Sequence, residues 1–376
     1  AGDSLLACVS WVTRFVSFKP TNGHSVTTIT LPSPGGGHTE PFSDCASMLP
    51  MTAFASMPGF ADVLAAAARI AGHAHPTPVA TSRTLDAATG ARLHFKCEHL
   101  QRTGAFKFRG ACNAVCSLDA ATAGRGVVTH SSGNHGAALA LAAQLRGIPC
   151  HVVVPDGAVR AKLAAIEHYG AILHRCAPTI AAREALCAAV QADTGATAVH
   201  PYTDPRVIAG QGTAALELLT AHPDLDALVV PLGGGGLAAG TALAMRALAP
   251  DCRLYLAEPE GAADGARSFA RGTLDIDFVP DTICDGLRGS LGAINFAMLR
   301  AAGAQVLTVD DAQTVAAMRQ LWSRTKQLVE PSSATALAAV LAHPAHFEGR
   351  KVGIILSGGN VDLDALPALF AIGGNA

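Results

Sequence analysis

From Pro58 onward, short runs of β-branched and other apolar residues alternate with alanine-rich stretches. One series reads "GVVTHSSGNHG", "AALALAAQLRG" and "PCHVVVP", and a later one reads "DALVVPLGGGG", "LAAGTALAMRALAP" and "RLYLAEPE". The last run of this kind is "KVGIILSGGN". The order strand, glycine-rich turn, helix and strand is typical of a parallel sheet covered by helices on both faces, so the pattern predicts an α/β fold.

Ligands of such sheets bind beyond the carboxyl ends of the strands. Four segments with small or polar residues follow predicted strands and are candidate binding turns. They are "SSGNHG" at 131–136, "GGGG" at 233–236, "EPEGAAD" at 258–264 and "SGGN" at 357–360.

The first 56 residues lack this periodicity and are rich in Ser, Thr, Gly and Pro, which predicts a disordered extension. Their basic residues are Arg14 and Lys19, too few for a convincing targeting signal. We therefore expect a cytoplasmic protein, with an organelle address as the alternative.

Composition narrows the function classes. The chain has 376 residues, of which 50% are hydrophobic, enough for one large or two modest domains. A net charge of −2 does not favour nucleic-acid binding, and no apolar run is long enough to predict a membrane span. The ten cysteines form no CxxC pair, and we interpret them as small buried side chains in a reducing compartment; Cys112 and Cys116 are the closest pair.

The glycine run predicts an anion site. Four consecutive glycines between a strand and a helix expose backbone N–H groups to a ligand such as a phosphate. "GGGGLA" also fits the G-x-G-x-x-A pattern of dinucleotide-binding folds, with Glu258 about 20 residues further on. An NAD-dependent dehydrogenase is therefore an alternative, whereas a Walker loop is excluded because no Gly-Lys-Ser/Thr follows.

The stretch "TGAFKFRGA", residues 103–111, holds a lysine between two phenylalanines. Desolvation of Lys107 would lower its pKa and free the amine for chemistry. The alternative is a structural lysine whose amine reaches water.

Seven motifs in order resemble the serine racemase and serine/threonine dehydratase family of fold-type II pyridoxal-phosphate (PLP) enzymes. They are "TGAFKFRGA", "THSSGNHG", "VIAGQGT", "PLGGGGLAAG", "EPEGAAD", "EPSSA" and "LSGGNVDL". The resemblance implies two open, twisted, mainly parallel sheets flanked by helices. It implies a large cofactor-binding domain (57–119 and 204–376), a small inserted domain (120–203), a homodimer and no appended regulatory domain.

The resemblance also implies the cofactor site. Lys107 would form a Schiff base with PLP, beside Phe106, and Asn134 and Ser357 would face the ring hydroxyl and the ring nitrogen. The phosphate would be bound by Gly233, Gly234, Gly235, Gly236 and the N–H group of Leu237. A serine at the ring nitrogen leaves the ring largely neutral.

The activity implied is interconversion of L- and D-serine, with dehydration of serine to pyruvate and ammonia. Ser132 matches the base on the face opposite Lys107, where related threonine deaminases carry alanine. Ser131, Asn134 and His135 would bind the substrate carboxylate. Tyr202 replaces an asparagine of the animal racemases, and Arg183 could bind a second carboxylate. A serine, threonine or threo-3-hydroxyaspartate ammonia-lyase is therefore the nearest alternative.

Two further sites follow from the resemblance. Glu258, the carbonyl of Ala262 and Asp264 would bind Mg²⁺, Ca²⁺ or Mn²⁺. Nucleotide-site positions persist at Thr103, Tyr169, Lys326 and Asn360, but Ala137 replaces a glutamine amide, so we expect weak or absent activation by ATP.

Overall fold

Ten strands form two separate sheets in the residues that the structure describes. This computed structural model describes residues 57–158 and 160–372, without the side chains of residues 160–162. The extension predicted for residues 1–56 lies outside the described residues. The strands are β1 (Val79–Ala80), β2 (Arg92–Cys97), β3 (Val127–His130), β4 (Cys150–Pro155), β5 (Ile172–Cys176), β6 (Thr197–Ala198), β7 (Ala227–Pro231), β8 (Arg253–Pro259), β9 (Gln305–Val309) and β10 (Lys351–Leu356).

The larger sheet has the order β1-β2-β10-β7-β8-β9, and the smaller has the order β5-β4-β3-β6. Only β1, which is antiparallel to β2, departs from parallel pairing. Central strands such as β7 are buried along their whole length, as expected for parallel strands covered on both faces. The predicted fold class, with two mainly parallel sheets flanked by helices, is confirmed.

Helices connect the strands and cover both sheets. They are α1 (Phe60–Ile70), α2 (Arg83–Thr89), α3 (Lys107–Cys116), α4 (Ala120–Gly124), α5 (Asn134–Arg146), α6 (Arg160–His168), α7 (Ile180–Thr194), α8 (Pro205–Ala221), α9 (Gly236–Leu248), α10 (Asp264–Arg271), α11 (Ala293–Ala301), α12 (Asp311–Gln320), α13 (Pro331–Ala342) and α14 (Leu366–Ala371). None of those in the described residues is long and apolar enough to cross a membrane.

The turns after four strands correspond to the predicted binding segments. The serine loop, residues 131–133, connects β3 to α5, and the glycine loop, residues 233–235, lies between β7 and α9. Glu258 is near the end of β8, and Ser357 directly follows β10. All strands of the smaller sheet lie between residues 127 and 198, inside the segment predicted as a small inserted domain; the division into two domains stays a prediction.

A buried ion network fixes α3 against its neighbours. The guanidinium of Arg109 donates to Glu98 Oε2 at 2.7 Å and to Glu217 Oε1 at 2.6 Å. Lys96 Nζ donates to Glu217 Oε2 at 2.5 Å. Buried charges are stable when they are paired and hydrogen-bonded, so these four side chains hold the helix that starts at Lys107.

Candidate active site

Lys107 is the first residue of α3, and the backbone around it is joined to the end of β10. The N–H of Phe106 donates to the carbonyl of Ser357 at 2.9 Å. The Lys107 amine donates to the carbonyl of Pro201 at 3.0 Å and lies 5.1 Å from the centre of the Phe106 ring. Desolvation lowers the pKa of Lys107 to about 8, although the nearby charge of Glu330 opposes this shift. The amine therefore loses its proton at a lower pH than an ordinary lysine.

The glycine loop has the geometry of an anion cradle. Gly235 has φ +86°, which a residue with a Cβ rarely adopts, and it precedes α9 without any side-chain cap. The ring of Tyr202 lies directly against Gly234, where a Cβ would collide with it. A Cβ at Gly233 would lie 2.9 Å from Leu287 Cα. Uncapped N–H groups at a helix N-terminus bind phosphate, so the loop fits the phosphate of PLP.

The two serines of the serine loop differ in their hydrogen bonds. Ser131 Oγ accepts from the N–H of Gly133 at 3.4 Å. Ser132 is half-buried, and its hydroxyl makes no hydrogen bond to any residue that the structure describes. The hydroxyl of Ser132 is thus available to a ligand in this loop.

His135 lies in the first turn of α5, and its ring is buried. Burial lowers its pKa well below the ordinary value, and the charge of Lys107 adds to the effect. Nε2 is 3.3 Å from the carbonyl of Val199, so the ring packs inward. Because α5 also begins without a side-chain cap, the backbone N–H of His135 is the group of this residue that suits an anionic ligand.

Asn134 links two other parts of the site. Its Nδ2 donates to Glu330 Oε1 at 2.9 Å, and its Oδ1 accepts from Asn360 Nδ2 at 2.9 Å. Asn360 also donates to the carbonyl of Thr103 at 2.7 Å. Ser357, predicted to face the ring nitrogen, is buried at the end of β10.

The four predicted nucleotide residues make their contacts at three places. Thr103 and Asn360 are joined by that hydrogen bond. Lys326 is exposed, and its amine donates to the carbonyl of Ser323 at 2.6 Å. The ring of Tyr169 packs edge-to-face against that of His168, with ring centres 5.4 Å apart. No hydrogen bond or ring contact within residues 57–158 and 160–372 connects these three places.

Arg183 lies on α7, half-buried, with Nε 3.4 Å from the carbonyl of Thr179. Its positive charge contributes to lowering the pKa of His130 and opposes the burial-driven rise in the pKa of Tyr202. Arg183 is thus close enough to act on both side chains. His200 lies between them, 5.2 Å from His130 and 4.5 Å from Tyr202 by ring centres.

Sequence reasoning assigned no role to His130, His200 or Glu330. Burial, with the charges of His130 and Lys107, lowers the pKa of His200 to about 4, so its ring is neutral. His200 Nδ1 accepts from the N–H of Thr203 at 3.2 Å. The only sequence signal for these three residues is their place in or beside the motifs: His130 beside "SSGNHG", His200 in "HPYTDP" and Glu330 in "EPSSA".

Two buried carboxylates occupy the predicted metal segment. Glu258 accepts from the N–H groups of Gly265 at 2.9 Å and Ala266 at 2.8 Å. Asp264 Oδ2 accepts from the N–H of Leu291 at 2.7 Å, whereas Asp264 Oδ1 is buried without a partner among the described residues. Burial raises the pKa of Glu258 to about 8 and that of Asp264 to about 6.

This donor set fits a hard cation. Ala262, also buried, ends a short 3₁₀ turn just before Asp264. The described part of the chain contains no cluster of three or more His, Cys, Asp or Glu side chains suited to a metal. The set would therefore consist of two carboxylates and a backbone oxygen, and a cation would satisfy the orphaned Asp264 oxygen.

The comparisons with known proteins agree with this geometry. Residues 70–358 match the family described as pyridoxal-phosphate dependent enzyme. The chain belongs to this family of pyridoxal-phosphate-dependent enzymes. The cofactor of this family is pyridoxal phosphate, so the alternative of an NAD-dependent dehydrogenase is set aside.

Individual relatives carry two kinds of name. The chain is 49% identical over 311 residues to the beta-hydroxyaspartate dehydratase of Paracoccus denitrificans, covering 83% of this chain and 99% of that protein. It is 48% identical to a serine racemase of Arabidopsis thaliana, covering 79% and 92%. The solved structure of maize serine racemase superposes with a TM-score of 0.80 at 43% identity, covering 84% and 97%.

Proposed function

We propose that this protein is a serine racemase that also dehydrates serine to pyruvate and ammonia. The observation that carries the proposal is the pair of Lys107, an amine of lowered pKa, and Ser132, a hydroxyl uncommitted to the protein. Racemisation needs a proton-transfer group on each side of Cα, whereas elimination needs only one.

The chain's own residues would hold the cofactor at the strand ends. The N–H groups of residues 233–237 would bind the phosphate, Asn134 and Ser357 would contact the ring, and Phe106 would pack beside it. Lys107 would bind it covalently. When bound, PLP supplies an electron sink that stabilises negative charge at Cα of an amino acid.

Lys107 and Ser132 then divide the proton transfers between them. The Lys107 amine takes the Cα proton of one serine enantiomer, and Ser132 serves the opposite face. A serine hydroxyl has a high ordinary pKa, so Ser132 needs a hydrogen-bond partner that accepts its proton. In elimination the β-hydroxyl leaves as water in place of reprotonation at Cα, and hydrolysis of the resulting enamine gives pyruvate and ammonia.

The substrate carboxylate binds at the serine loop. Ser131, Asn134 and the backbone N–H of His135 supply donors at the uncapped N-terminus of α5. We propose that the segment 120–203 closes over the bound substrate and excludes water from the reacting atoms.

A second candidate activity is ammonia loss from threo-3-hydroxyaspartate. Arg183 favours it, because its guanidinium lies near the site edge formed by His130 and Tyr202 and can bind a second carboxylate. The name of the Paracoccus relative adds support.

The Glu258–Ala262–Asp264 segment is proposed to bind a divalent cation, Mg²⁺ or Ca²⁺. Support comes from the orphaned Asp264 oxygen and from the buried carboxylate of Glu258, whose pKa is raised by burial and by the charge of Asp264. We also propose a homodimer.

We propose weak or absent activation by ATP, because an alanine at position 137 cannot replace the hydrogen bonds of an amide side chain. A titration of the initial rate against Mg-ATP tests this, and strong activation at micromolar nucleotide would contradict it.

The direct test is to incubate the PLP-loaded protein with L-serine and quantify D-serine and pyruvate together. We expect both products. Pyruvate without D-serine would overturn the racemase and retain a lyase, and neither product would overturn both.

Parallel assays with threo-3-hydroxyaspartate and the Arg183→Ala variant decide the second candidate. A role for Arg183 predicts a loss in kcat/KM of about 10-fold or more for hydroxyaspartate only. An equal loss for serine would contradict recognition of a second carboxylate.

A further inference from the structure

Two cysteines lie one helical turn apart at the C-terminal end of α3. Their Sγ atoms are 3.9 Å apart. Cys112 is buried, whereas Cys116, the last residue of the helix, is half-buried. Four residues of helix advance about 6 Å along the axis, which is within the Cα separations of about 4.4–6.8 Å found in disulfides. Helical Cβ atoms four residues apart are about 5–6 Å apart, whereas a disulfide needs about 3.5–4.5 Å, so the end of the helix must shift for the bond to form.

The surroundings of Cys116 favour its thiolate. The two sulfur atoms are close enough to share one S–H···S hydrogen bond, and the side chains of His73, Arg146 and Arg69 lie near Cys116; together these lower the pKa of Cys116 to about 6. Burial alone would raise the pKa of Cys116, but these neighbours outweigh it. The same hydrogen bond raises the pKa of Cys112, whose thiol therefore keeps its proton.

The other cysteines in the described residues have a different environment. Burial raises the pKa of five of them: Cys97, Cys150, Cys187, Cys252 and Cys284. Cys176 is half-buried like Cys116, but its S–H donates to the carbonyl of Val154 at 3.6 Å. Cys176 is thus a natural control for exposure without a partner thiol.

We infer that Cys112 and Cys116 are an oxidation site at which hydrogen peroxide forms a disulfide. The Cys116 thiolate attacks one peroxide oxygen, the O–O bond breaks and hydroxide leaves, which gives a sulfenic acid. The Cys112 sulfur then attacks the Cys116 sulfur, the S–S bond forms and the S–O bond breaks. The leaving hydroxide takes the Cys112 proton. In total, two thiols lose two electrons and two protons, and peroxide is reduced to two waters.

Disulfide formation would loosen the contact between the two helices that carry the site. The guanidinium of Arg146, at the end of α5, donates to the carbonyls of Val115 and Leu118. Bringing the two sulfur atoms to bonding distance requires the last turn of α3 to shift, which disturbs these two bonds. Because α3 begins at Lys107 and α5 at Asn134, we expect oxidation to reduce activity until a thiol reductant restores it.

The test uses the PLP-loaded protein treated with hydrogen peroxide, alkylated and digested with trypsin. Both cysteines fall in one tryptic peptide, residues 110–125, so a disulfide appears as the loss of two hydrogen atoms from an unalkylated peptide. We expect this product before Cys176 is modified. In Cys112→Ser, dimedone should trap a sulfenic acid at Cys116.

A second arm measures alkylation rates against pH. At pH 6 we expect Cys116 to react about tenfold faster than Cys176, because only Cys116 has a partner thiol and nearby basic side chains that favour its thiolate, although a low pKa reduces nucleophilicity. Equal rates, or oxidation of Cys176 with the 110–125 peptide still a dithiol, would overturn the site. Activity should fall in peroxide, recover with reductant and survive in Cys116→Ser. A disulfide that leaves activity unchanged would overturn its coupling to the catalytic site.

Discussion

Lys107 and Arg109 lie two residues apart on α3, yet their surroundings differ in one decisive respect. Arg109 is buried against two carboxylates, Glu98 and Glu217. Burial alone would lower the pKa of Arg109, but these carboxylates raise it above its usual value. The Lys107 amine donates instead to a neutral carbonyl, and its pKa falls to about 8.

The difference separates a structural cation from a reactive amine. A buried cation bonded to carboxylates stays protonated and stabilises the fold. A buried amine without such a bond can release its proton, which covalent catalysis by lysine requires. Lys96 provides a second contrast, because it is also buried but donates to Glu217.

The largest expected effect is that of Lys107→Ala. We expect activity to fall about 10⁴-fold or more, because the variant loses both cofactor attachment and a proton-transfer group. The matched control is Lys351→Ala, which removes a half-buried lysine paired with the exposed Asp224. Initial rates with L-serine measure both, and near-normal turnover by Lys107→Ala would contradict the assignment.

The next largest effect is the loss of folding stability that we expect when the buried ion network around Arg109 is broken. Glu98→Gln leaves Arg109 and Lys96 with one buried carboxylate fewer, which we expect to cost about 3–5 kcal/mol of the free energy of unfolding. Urea unfolding of the PLP-loaded protein measures it. Asp224→Asn, which breaks the exposed pair with Lys351, should cost less than about 1 kcal/mol. Similar costs for both variants would refute the structural role of the network.

Ser132→Ala should separate the two proposed activities. Racemisation is expected to fall by about 10²-fold, the scale of one positioned acid–base group. Elimination from the enantiomer served by Lys107 should be reduced less. Ser131→Ala serves as the comparison, because that hydroxyl already accepts from Gly133. Equal loss of both activities in Ser132→Ala would indicate that Ser132 only positions the substrate.

Removal of the cation should have the smallest effect. With Mg²⁺ at ten times its dissociation constant, binding stabilises the fold by about 1.4 kcal/mol. We therefore expect chelation to lower the melting temperature and the activity together, and Asp264→Asn to remove the response to chelator. Melting and turnover that do not change with chelator would refute the site.

The repeating pattern of strands, turns and helices predicted much of this structure. Parallel strands place their carboxyl ends at one edge, which is why Ser131, Gly233 and Ser357 could be identified as candidates from the sequence. Lys107 was indicated by its two aromatic neighbours. The specific roles came from the resemblance to a family rather than from the pattern.

The remaining features depend on contacts between distant segments. Arg109 was visible in "TGAFKFRGA", but its partner Glu217 lies more than 100 residues away, and no local pattern connects them. Glu330 likewise reaches Asn134 only through the fold. The cysteines were interpreted as small buried side chains, which holds for Cys112 but not for the half-buried Cys116.

The most direct test of the central claim is to locate the cofactor on the chain. The PLP-loaded protein is reduced with borohydride, digested with trypsin and sequenced by mass spectrometry. We predict a phosphopyridoxyl group on Lys107, within the peptide of residues 103–109, since the reduced adduct prevents cleavage at that lysine. A group attached to another lysine such as Lys96 or Lys326, or no adduct at all, would contradict the account.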